Sequence, residues 1–176
     1  FGVEQGFARF DDVPVGRFQG NRDQLFEAER TAVDVNRQVF RWLVDRDRNR
    51  RFFLWVHFYD PHTPYDSPER EGRTLHGSGY DREISYLDAC FGDLVDRLRD
   101  DGLLDSTFLV VAGDPGEGLG DHGEGTHGIF LYEATTHVPL FVRAPGLVPA
   151  GTRVEGPVEL VSVAATVLDL LELGPL

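Results

Sequence analysis

Two short apolar runs, each breaking off abruptly into a loop built on proline or glycine, constrain this chain more than any other feature. Phe52-Phe53-Leu54-Trp55-Val56 follows an arginine-rich turn and leads into Asp60-Pro61-His62-Thr63-Pro64-Tyr65. Phe108-Leu109-Val110-Val111-Ala112 runs directly into Gly113-Asp114-Pro115-Gly116-Glu117-Gly118. Continuous apolar runs of this length, rich in β-formers, predict strands buried on both faces of a helix-covered sheet. The two prolines of the first loop forbid regular structure and stiffen it at a strand end, the edge where open α/β sheets place ligands.

Between these runs the pattern is helical. Asn21 and Gln24 have the spacing of a capping box, and Leu25, Ala32, Val39 and Leu43 recur at helical intervals, which predicts a surface helix over about 22–47. Ser78 can cap a second helix whose apolar stripe is Tyr80, Ile84, Leu87, Phe91, Leu94 and Leu98, with Gly102 as its stop. A third strand over Val138 to Val142 and an apolar helix from about Glu159 to Leu171 complete a strand–helix alternation, the pattern of an α/β domain.

Charge narrows the function. At a net −13 the chain lacks the clustered cations that a phosphate backbone or an anionic membrane needs, so nucleic acid is excluded as a partner, and no apolar run reaches membrane-span length. Every basic side chain is Arg, so any task that calls for an ammonium falls to His or Arg. Cys90 is the single cysteine and has no ligand spacing around it. The chain starts at Phe1 and contains no methionine, which points to a fragment or a processed product of a longer reading frame.

The loop from Gly113 to Gly128 gathers Asp114, Glu117, Asp121, His122, Glu124 and His127 among glycines that allow close backbone approach. Carboxylates and imidazoles at a strand end suit a hard or borderline cation, and a solvated acidic turn is the alternative. Its Gly116, Gly118 and Gly120 do not make a dinucleotide fingerprint, because no helix pattern follows and the acids would repel a pyrophosphate. His62, on the stiff loop, is placed for anion contact or proton transfer. His57 reads as a core or sheet-face residue, His76 and His137 carry no spacing signal, and Asp11-Asp12 reads as a surface turn.

Taken together, the two strand–loop motifs, the extension Leu119-Gly120-Asp121-His122-Gly123, and Val138-Pro139-Leu140 with Pro145-Gly146 resemble the bacterial sulfatase family, within the alkaline phosphatase superfamily. The resemblance runs from about Asn21 to Leu173. It implies a mixed, largely parallel sheet sandwiched between helices. It also implies that residues 1–176 are the C-terminal part of a single catalytic domain, without the part that bears the nucleophile and the first-strand aspartates. Cys90 matches nothing catalytic in that family.

Carried over by position, the resemblance makes Asp114 a metal ligand, His62 a contact to the ester oxygens that assists leaving-group departure, and His127 an anion contact where many sulfatases keep a lysine. It implies a divalent cation, Ca2+ for an oxygen-rich set or Zn2+ or Mn2+ in a phosphoesterase. The implied substrate is a small-molecule or glycan sulfate ester, and the implied location is periplasmic or extracellular. The next family position after Asp114 is usually a metal-binding His or Asn and is Pro115 here, which removes a ligand. Two alternatives follow: a phosphate mono- or diesterase, from His127 and the missing lysine, and a degenerate member that binds anions without turnover, from Pro115.

Overall fold

The computed structural model describes residues 2–12, 30–66 and 68–174. The chain divides into two compact units, Phe1–Arg97 and Leu98–Leu176. In chain order the regular elements are α1 (Ala32–Asp45), α2 (Tyr80–Asp100), β1 (Leu109–Ala112), α3 (Glu133–Thr136), β2 (Leu140–Arg143) and α4 (Ser162–Leu170).

In the first unit, α1 starts later than the sequence predicts. Thr31 caps it, its hydroxyl accepting from the Asp34 N–H at 3.3 Å. The proposed cap at Asn21 and Gln24 lies outside the described residues. Ala32, Val39 and Leu43 are buried as expected, and Asn36 joins them, its Nδ2 donating to the Cys90 carbonyl at 2.7 Å. On α2 the second half of the expected stripe is buried, at Leu94 and Leu98, while the first half is rotated. Glu83, Tyr86, Cys90 and Leu94 face inward while Ile84 is exposed. Tyr86 and Cys90 form the core with Ala32, and Phe58 and Leu87 pack against it. The first backbone bond of α2 runs from Glu83 N–H to the Gly79 carbonyl, so Gly79 and not Ser78 stands at its start. Its end matches expectation. Gly102, at φ +68°, bonds back to Arg99 and Leu103 bonds back to Leu98, the paired closure that a left-handed glycine allows.

The segment 51–60 corrects the reading of Phe52–Val56 as a fully buried strand. Among the described residues it joins no ladder, and its burial alternates strictly. Phe53 and Trp55 are 69% and 71% exposed, whereas Phe52, Leu54, Val56 and Phe58 turn inward. Alternation is the pattern of an extended chain with one face on a core, and an all-apolar sequence conceals it.

In the second unit β1 and β2 pair antiparallel, Leu109 opposite Arg143 and Ala112 opposite Leu140. The resemblance implies a mixed, largely parallel sheet, but the single pair among the described residues is antiparallel. Chain that leaves β1 through a folded loop and returns along the same edge needs no crossover, and this is the antiparallel solution. The helix expected from Glu159 to Leu171 is α4, shorter at both ends, and none of its residues is buried.

Candidate functional site

His62 sits in the first unit on a loop held from two sides by carboxylates. Asp60 Oδ2 accepts the Ala32 N–H at 2.7 Å, fastening the loop to the first turn of α1. Glu83, buried on α2, accepts the His62 backbone N–H at 3.0 Å. The ring is fixed as well. Its Nδ1 lies 2.7 Å from the Thr63 carbonyl, which can only accept, so Nδ1 carries a proton. Nε2 lies 3.2 Å from the Tyr59 hydroxyl, and the two rings are 4.4 Å apart. His57 points outward on the exposed side of segment 51–60.

Burial pushes the Asp60 carboxyl above its ordinary value of 3.8, against the lowering effect of the Ala32 N–H. The folded chain therefore holds this proton more tightly than the unfolded one, and ionising Asp60 costs stability. That cost is full above the raised value and fades as pH falls toward 3.8. Asp60→Asn keeps an oxygen for the Ala32 N–H and is expected to flatten this stretch of the stability–pH curve. Asp60→Ala loses the acceptor for the Ala32 N–H and should cost about 1 kcal/mol at the acid end of the curve. Denaturant midpoints at several pH values for the three proteins check both outcomes. Burial likewise pushes up the Tyr86 hydroxyl and the Cys90 thiol, so Cys90 is an unreactive core residue, as its place on the helix suggests.

The second unit holds Asp114 and His127. The glycine-rich loop after β1 is tied down by its own backbone: Gly116 N–H to Thr135, Gly118 N–H to Thr126 and Gly120 N–H to Glu124, each at 2.8 to 2.9 Å. A short 3-10 turn over Asp121–Gly123 follows instead of a helix, in keeping with the rejected dinucleotide reading. Asp114 and Pro115 are exposed. His127 Nδ1 lies 3.3 and 3.4 Å from the two carboxylate oxygens of Glu117. Glu124 accepts the Ile129 and Phe130 N–H groups at 2.9 and 3.2 Å. The acids grouped as cation donors are therefore divided: Glu117 meets an imidazole, Glu124 braces the backbone, and Asp121 lies 3.1 Å from His122.

Among the described residues no group of three or more His, Cys, Asp or Glu side chains comes together, and Asp114 is an isolated exposed carboxylate next to a proline. The carboxylates that sequence reasoning missed are Glu83 and Asp60, both of which position the His62 loop. Glu83 falls in phase with Tyr86, Cys90 and Leu94, and an acid on that stripe was the available signal.

The family model for sulfatases matches residues 4–173. Steryl-sulfatase of Rattus norvegicus is 33% identical over 71% of this chain and 24% of its own length. Arylsulfatase K of Danio rerio is 31% identical over 66% of this chain and 24% of its own. A phosphonate monoester hydrolase from Silicibacter pomeroyi, a solved structure, is 35% identical over 53% of this chain and 18% of its own, with a TM-score of 0.47. The chain belongs to the sulfatase family. It spans about a quarter of the length of the sulfatase relatives it matches.

Proposed function

We propose that this chain is the C-terminal part of the catalytic domain of a sulfuric ester hydrolase. The observation that carries the reading is the sulfatase match along nearly all of the chain, which takes in both loops. In this reading a nucleophile supplied from outside these residues attacks sulfur in line, and the S–O bond to the alcohol breaks. The departing oxygen takes the Nε2 proton of a His62 ring that enters the step doubly protonated and leaves it neutral, with Nδ1–H kept on the Thr63 carbonyl throughout. His127 meets the non-bridging oxygens as an imidazolium, donating from Nε2–H while Nδ1–H stays on Glu117, in place of an ammonium that this chain cannot supply. Asp114 would supply one oxygen to a divalent cation whose other ligands come from outside this chain, and the cation would polarise the ester.

An imidazole at position 127 equally favours a phosphate mono- or diester, and Pro115 favours a binding protein without turnover. Rates of the full-length protein on an aryl sulfate and an aryl phosphodiester, with and without added Ca2+, Mn2+ or Zn2+, separate the three. The sulfatase reading expects the aryl sulfate to be the faster substrate. A preference for the diester moves the assignment to a phosphoesterase, and stoichiometric anion binding with no turnover of either moves it to a degenerate member.

A further inference from the structure

We infer that Glu117 is the positioning residue of His127, holding Nδ1–H so that the Nε2 edge is turned to an anionic group, to which Nε2–H donates when the ring carries its second proton. The Glu117 side chain is 4% exposed and that of His127 is 29%, so the pair runs from the interior of the loop outward. A carboxylate so buried must be met by donors, and both of its oxygens lie within 3.4 Å of the imidazole Nδ1. The carboxylate has no proton to give when ionised, so the contact selects the tautomer.

The backbone keeps this pair in register. Glu117 stands between two glycines that tolerate no side chain: a Cβ on Gly116 would meet the Ala134 carbonyl oxygen at 2.2 Å, and one on Gly118 would meet that of Thr126 at 2.5 Å. The strand of loop bearing His127 is fastened on one side by Thr126, which accepts the Gly118 N–H, and on the other by the Glu124 carboxylate. The inference rests on the reading of His127 as an ester contact only for its effect on rate; the pairing stands on geometry alone.

The test has two arms. Nitrogen-15 chemical shifts of the His127 ring in this chain are expected to show Nδ1 protonated and, in Glu117→Gln, a mixture of tautomers, because an amide both donates and accepts. In the full-length protein Glu117→Gln should lower kcat by about ten- to a hundredfold with little change in KM, and Glu117→Asp should recover part of the loss. Nε2 protonation with a bare Nδ1 in the unaltered chain would overturn the inference even if no variant folds. So would an unchanged tautomer in Glu117→Gln. A tautomer that responds while turnover does not upholds the pairing and removes His127 from the ester contact instead.

Discussion

Replacing His62 with alanine is expected to lower kcat/KM of the full-length protein by about two to four orders of magnitude, with the loss in kcat. The loop backbone is held independently of the ring. Its His62 N–H is bound by Glu83, and Asp60 is bound to the start of α1. The alanine variant should therefore keep the far-ultraviolet circular dichroism and denaturation midpoint of the parent. The loss should also shrink for substrates with good leaving groups, since these need no proton as the S–O bond breaks. A decrease below about tenfold on a poor leaving group would remove His62 from the chemistry.

Gly116→Ala is expected to destabilise the second unit by about 3 kcal/mol, the upper end of what overpacking costs. The added methyl would fall 2.2 Å from the Ala134 carbonyl oxygen and 3.1 Å from the Thr135 Cα, and these are backbone atoms that cannot rotate away. Gly116 N–H also donates to Thr135, so the clash opposes the bond that ties the loop to α3. Gly125→Ala is the matched control in the same loop, with nothing within 4 Å of the added carbon and no positive φ. It should change stability by less than about 0.5 kcal/mol. Equal midpoints for the two variants in urea would show that the loop yields where its packing says it should not.

What the residues disclose about the fold depends on how local the cause is. Gly102 as the stop of α2 is legible because a left-handed residue after a long apolar helix acts through the backbone of its own turn. Ala32, Val39 and Leu43 are legible because their spacing alone defines a face. The first half of the stripe on α2 is read one notch away from its true line, because Ile84 looks more apolar than Glu83, while Leu94 and Leu98 are buried as read. Glu83 is inside for a reason 21 residues distant, the backbone N–H of His62.

The same distinction governs the site. His62 stands out because two prolines frame it, and the family follows from the order of the motifs. Nothing in sequence shows which backbone donors an acid will meet. Asp60 therefore passes for a motif letter, and Glu117 and Glu124 pass for cation donors. Coordinates give each a specific partner: the first turn of α1, an imidazole, and two amides of the loop beyond it.

The every-other-residue burial between Arg51 and Asp60 also fixes how many residues this stretch can hold. Parity is conserved along such a stretch: losing or gaining one residue there would turn the Asp60 carboxylate from α1 toward solvent and drive Tyr59 inward. Length changes in this stretch are thus admissible only in pairs, so homologous chains that keep the fastening of the histidine loop should differ here by even numbers of residues or not at all.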